Sequence, residues 1–156
     1  MNAASRNGRT TSRLAAVQAL YQVEFAAEDP QRVVEQFKRF RLKQGFGGPD
    51  WPEAEPAFFA DIVEGAWSRK PEIDAMIEPA LARGWTLARI DPVIRAILRA
   101  GAYEILVRGD VPARATISAY VDVSLAFDAA KEAGFVNGVL DRIAKDRRPQ
   151  EMAGRA

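Results

Sequence analysis

IDPVIRAILRAGAYEILVRGDVP, residues 90–112, combines a helix start, an apolar stripe and a stop, and its reading decides the fold. Asp91 offers an N-cap oxygen to unpaired backbone N–H groups, and Pro92 falls at the first helical position, where its missing N–H costs nothing. Ile94, Ile97, Leu98, Gly101 and Ile105 then recur at spacings of three and four, so one face of the helix is buried. Gly109, Asp110 and Pro112 end it. A glycine on the buried stripe costs about 1 kcal/mol relative to alanine, which points to a second helix crossing closely at Gly101.

Working outward, 156 residues with 48% hydrophobic content suffice for one domain with a real core, or two small halves sharing one. The amino terminus, MNAASRNGRTTSR, lacks the apolar block of a secretory signal, and no apolar run is long enough to span a bilayer. A cytoplasmic protein with no membrane partner is expected. The chain has no cysteine and no histidine, which removes disulfides, thiolate metal sites, cysteine nucleophiles and the usual general base. Neither enzymatic activity, nor a cofactor, nor a metal is expected.

A net charge of +1 does not by itself indicate a polyanion partner, so the placement of charge matters. From Met1 to Val23 the charged residues are Arg6, Arg9 and Arg13, with no acid among them. With Gly, Thr and Ser between them, residues 1–10 read as a flexible basic arm suited to phosphates, or as an ordinary solvated terminus. Arg142, Lys145, Arg147 and Arg148 stand near the other end, and one basic patch results if the two ends meet.

The first helix reads from Thr11 or Ser12 on the stripe Leu14, Val17, Leu20, Tyr21, Phe25, with Tyr21 a core aromatic whose hydroxyl sits at the edge. Asp29-Pro30 repeats the cap-plus-proline start for Val33, Val34, Phe37 and Phe40. GFGGPDWP is a loop; without the Lys-Ser or Lys-Thr of a P-loop, it reads as a connector rather than a nucleotide site. Phe58, Phe59, Ile62, Val63 and Trp67 mark a third helix, in which Asp61 and Glu64 read as a solvated face. A fourth restarts at Pro71, shortened by Pro79. Thr116 reads as the cap of a sixth, bearing Ile117, Val121, Ser124 and Leu125. The last carries Phe135, Val136, Val139, Leu140 and Ile143, and its unbroken stripe makes Asn137-Gly138 part of the helix, with a close approach there used in packing. The class is all-α, about seven helices.

RLAAVQALY (13–21), IDPVIRAILR (90–99), AYEIL (102–106), DVP (110–112) and above all FVNGVLD (135–141) together resemble the NusB family of transcription antitermination factors, over roughly residues 9–145. The resemblance implies two perpendicular helical halves, here about 11–70 and 71–146, with a short basic tail at 147–156. It implies binding to the boxA element of nascent ribosomal RNA transcripts together with NusE, a small-subunit ribosomal protein, within the RNA polymerase antitermination complex. Carried over residue by residue, it implies RNA contacts at Arg9 and Arg13, with Arg6 as an outlier, and at Phe135 and Lys131. Tyr21 and Asp91 would face NusE, together at a joint between the halves.

The chain departs from the family where Ile-Asn-Glu-Ala and Glu-Leu-Ala-Lys give way to ISAY (117–120) and DVSL (122–125), which keeps the apolar rhythm and loses polar side chains. Ala80 stands where relatives can carry an aromatic. Two other readings stay open. One is an interaction module whose basic surface is hidden by self-association into a homodimer. The other is a NusB-like accessory domain of a ribosomal RNA methyltransferase, opposed by the lack of a glycine-rich cofactor site before Ala156.

Overall fold

The computed structural model describes residues 7–43 and 46–153, and these are all-helical. Eight α-helices follow in order: α1 (Gly8–Ala26), α2 (Pro30–Gln36), α3 (Pro56–Ser68), α4 (Lys70–Ile77), α5 (Pro92–Val107), α6 (Ala113–Ala126), α7 (Ala133–Arg147) and α8 (Pro149–Ala153). The central helix forms as its sequence reads, with Val93 N–H donating to Asp91 Oδ1 at 2.9 Å and Pro92 opening the first turn. It packs on α1, α3, α4, α6 and α7, and α1 in turn reaches α2, α3, α5 and α6.

Two glycines allow helices to approach. A Cβ on Gly101 would lie 2.8 Å from Leu140 Cδ1 of α7, which is the close crossing its place on the stripe implied. Gly65 of α3 is tighter still, since its Cβ would meet the Tyr103 ring and hydroxyl at 2.3 Å. Tyr103 thereby lies across α3 and donates to Asp61 Oδ1 at 2.7 Å. Burial and that bond push its hydroxyl pKa well above the ordinary tyrosine value.

Several local readings are corrected. Helix α1 begins at Gly8 rather than Thr11 or Ser12, because Asn7 Oδ1 accepts from Thr10 N–H at 3.0 Å and caps it earlier. Residues 8–10 therefore belong to a helix, not to a flexible arm. Thr116 does not cap α6, which starts three residues sooner at Ala113; Thr116 is buried. The Ala113 N–H instead donates to Glu151 of α8, a helix that forms where a basic tail was expected, because Pro149 opens it and buried Met152 anchors it.

The helical period places Phe40 on the apolar stripe of the second helix, yet it is 67% exposed. Phe37–Arg41 widens into a π-helical turn, with Leu42 N–H donating to Phe37 O at 2.8 Å. One extra residue per turn rotates Phe40 off the core and brings Leu42 onto it. Asn137 and Gly138 do lie inside α7, but both are exposed and nothing comes within 4 Å of a Cβ on Gly138. They serve no close packing.

Candidate nucleic-acid interface

Arg9 and Arg13 lie one turn apart on α1 and meet different surroundings. Arg9 is half-buried, with its Cζ 4.5 Å from the Phe58 ring centroid and loose ion pairs at 3.6 Å to Glu55 and to Asp110. Arg13 is only 4% exposed. Its Nε and Nη2 donate to the two carboxylate oxygens of Glu104 at 2.7 and 2.9 Å, a bidentate pair inside the core. Tyr120 donates to the same Glu104 Oε2 at 2.6 Å. Burial alone would lower the Arg13 pKa, but the bonds to Glu104 outweigh it and raise it above the ordinary value. Burial, then the Glu104 charge, holds the Tyr120 hydroxyl well above its ordinary value.

Arg13 is thus corrected from an arm residue to a core anchor: its charge is already bound by a buried carboxylate 91 positions away. Tyr120 belongs to the stretch that departs from the family pattern, and it is fully buried. Arg6 lies outside the described residues. The start of α1 borders a groove of about 450 Å³ against the start of α6, lined by Asn7, Arg9, Thr10, Asp110 and Ser118 and touched by Arg13.

Among the described residues each of the carboxyl-terminal cations already has a partner, Arg147 pairing loosely with Asp146 at 3.5 Å. Arg148 donates to the carbonyls of Glu104, Ile105, Arg108 and Val111, at 2.7 to 3.1 Å, and so caps the end of α5. Arg142 donates to Ala80 O at 3.1 Å, and Lys145 pairs with Asp141 at 2.9 Å.

Lys131 is exposed in the short 3₁₀ turn Ala130–Glu132, and half-buried Phe135 sits in the first turn of α7. Phe135 lines a cavity of about 360 Å³ with Trp85, Arg89, Asp91, Ile94 and Glu132. Asp91, expected beside Tyr21, therefore shares its cavity with Phe135. Tyr21 lines a separate groove of about 500 Å³ with Phe25, Phe37, Arg41, Val93 and Phe127. Tyr21 is half-buried and its ring stacks on Phe25 at 5.5 Å. Phe25, read as a core residue, is 74% exposed in the last turn of α1. Glu24 of α1 fastens that helix to α5 by accepting from Arg95 and Arg99 at 2.6 Å each, while Arg99 also binds Asp74 of α4 at 2.9 Å.

Sequence reasoning missed Trp85, Glu104, Tyr120 and Glu132. The pairing of Arg13 with Glu104 has no local signature, and Trp85 stands in a stretch without helical period.

Residues 10–145 match the family model described as the NusB family. The transcription antitermination protein NusB of Sphingopyxis alaskensis is 49% identical over 140 residues, covering 90% of this chain and 94% of that protein. Among solved structures, NusB of T. maritima has a TM-score of 0.75 at 28% identity and covers 96% of this chain and 99% of that one. A chain from the complex of antitermination factors NusB and NusE with dsRNA has a TM-score of 0.72 at 26% identity, covering 88% and 96%.

Proposed function

Because the chain belongs to the NusB family, we propose that it is a transcription antitermination factor that binds RNA together with the ribosomal protein NusE and is not an enzyme. The observation that carries this reading is the likeness, over 88% of the chain, to a protein solved with both NusE and RNA. Its RNA target is the boxA element of ribosomal RNA transcripts, and its place is in the RNA polymerase antitermination complex in the cytoplasm. Among the described residues no helix is long and apolar enough to cross a membrane.

Within that reading, Arg9 supplies a phosphate contact, since its ion pairs are loose and its side chain reaches solvent. Lys131 is exposed for the same role, and Phe135 stacks on an unpaired base. Arg13 acts indirectly, by holding the first turns of α1 in place. Tyr21 and Asp91 serve the NusE contact from two separate cavities.

The test is a titration of boxA RNA against a scrambled RNA of equal length, with and without NusE. The expected result is tighter binding to boxA that NusE strengthens further. Equal affinity for both RNAs in the presence of NusE would remove the proposal, and gel filtration in the same buffers would reveal a self-associated state that hides the surface.

A further inference from the structure

The cavity between the segment after α4 and the start of α7 has a composition that RNA binding alone does not explain. Trp85 is 52% exposed, an uncommon position for a large aromatic residue, and faces the same space as Phe135. Two carboxylates line that space. Asp91 uses Oδ1 to cap α5, and its other oxygen has no partner among the described residues. Glu132 Oε2 is buried and receives no hydrogen bond, although Glu132 stands at the N-cap of α7. A buried acceptor without a donor is costly, and such exceptions need a reason. Arg89, the one cation lining the cavity, is exposed and forms no ion pair among the described residues.

Two rings beside two carboxylates suit a cation. A guanidinium stacks on an aromatic face and donates to carboxylate oxygens in the same plane, which few other groups do together. A phosphate strand would meet two negative charges against one positive. We propose that this cavity receives an arginine side chain from the protein partner, stacked on Trp85 and donating to Glu132 and Asp91. The inference rests on the reading of the chain as a NusE-binding protein. Glu132 thereby sets partner recognition.

The test uses Glu132→Gln, which keeps the shape and removes the charge, and Trp85→Ala, alongside the unaltered chain. NusE affinity should fall about 10-fold or more in each, while binding of boxA RNA by the chain alone changes less than 2-fold. Phe135 is left intact because its loss would disturb both partners. Unchanged NusE affinity in both variants overturns the inference and leaves the NusE reading standing; loss of RNA binding instead overturns it in favour of a nucleobase. A second measurement does not need NusE: titration with Nα-acetyl-arginine amide, followed on the Trp85 indole N–H resonance, assigned with Trp85→Phe. That signal should move in the unaltered chain and stay still in Glu132→Gln. Should the unaltered chain fail to bind NusE, the partner reading falls, and a moving Trp85 signal still supports the arginine cavity, whereas a still one overturns it.

Discussion

Helix α1 is fastened to α5 at two places by arginine and carboxylate, and the two clusters differ in their exposure to water. Near its start, Arg13, Glu104 and Tyr120 form a set closed off from solvent. Near its end, Glu24 with Arg95, Arg99 and Asp74 is partly open. The chemistry is the same in both. Where water is excluded, removing one member strands a charge that nothing else can solvate; where water enters, the survivors are hydrated and most of the loss is recovered. The same residue types therefore serve as an indispensable core joint in one place and as an adjustable fastening in the other.

The largest effect should come from breaking the closed cluster. Arg13→Met leaves Glu104 buried without its partner and is expected to lower stability by about 3 to 5 kcal/mol in urea unfolding. Adding Glu104→Leu should restore much of that loss, because two apolar side chains replace a pair rather than orphan one member. A double variant no more stable than Arg13→Met alone would mean that the pair stabilises by more than mutual neutralisation. Tyr120→Phe, which keeps the ring and deletes one bond to the charged Glu104, should cost about 1.5 to 3 kcal/mol in the same measurement.

The open cluster should respond less and show a pH signature. Glu24→Gln is expected to cost about 1 kcal/mol, since Arg99 keeps Asp74. Burial by itself would raise the Glu24 pKa, but its bonds to Arg95 and Arg99 hold the carboxyl below its ordinary value. The folded pKa is thus lower than the unfolded one, so the stabilisation is complete above the usual carboxylate range of about 4.3 and is lost as the pH falls through the lowered folded value. Unfolding curves of the original chain and Glu24→Gln should differ at pH 7 and converge below pH 4. A gap that persists at acid pH would show that Glu24 acts through packing, not charge.

The difference between the clusters also marks how far the sequence could be read. Asp91-Pro92, the stripe behind it and Gly101 are local patterns, and each imposes its consequence within a few residues: a cap, a buried face, a close crossing. The family motifs likewise lie in order along the chain. Arg13, however, reads as a basic residue among Gly, Thr and Ser until its partner is known, and Glu104 is 91 positions away in a motif whose apolar members dominate. Charge counting along a chain registers Arg9 and Arg13 as equals, whereas only the fold sorts them by burial. Phe40 failed for a related reason, because a periodic reading assumes an unbroken 3.6-residue turn and the π-helical turn at Phe37–Arg41 breaks it. The cavity around Trp85 was illegible since it joins residues from three segments, of which the one bearing Trp85 has no helical period.

The smallest and sharpest expectation concerns Arg9. Four residues before Arg13, it shares the aromatic ring of Phe58 with it, at 4.5 Å against 5.1 Å, yet keeps a side chain that reaches water. Its partners Glu55 and Asp110 are exposed and 3.6 Å away, so Arg9→Ala should change folding stability by less than about 0.5 kcal/mol. If Arg9 binds a phosphate, its loss removes one released counterion, and the slope of log affinity against log salt should become shallower by about 0.7 on single-stranded RNA. Because a phosphate contact carries no base information, boxA and scrambled RNA should weaken by the same factor. Arg13→Met provides the contrast: the charge it removes is already neutralised by Glu104 in the core, so it should disturb stability and leave the salt slope as it was. A slope unchanged in Arg9→Ala and shallower in Arg13→Met would reverse the assignment, and would mean that the closed cluster opens to admit RNA.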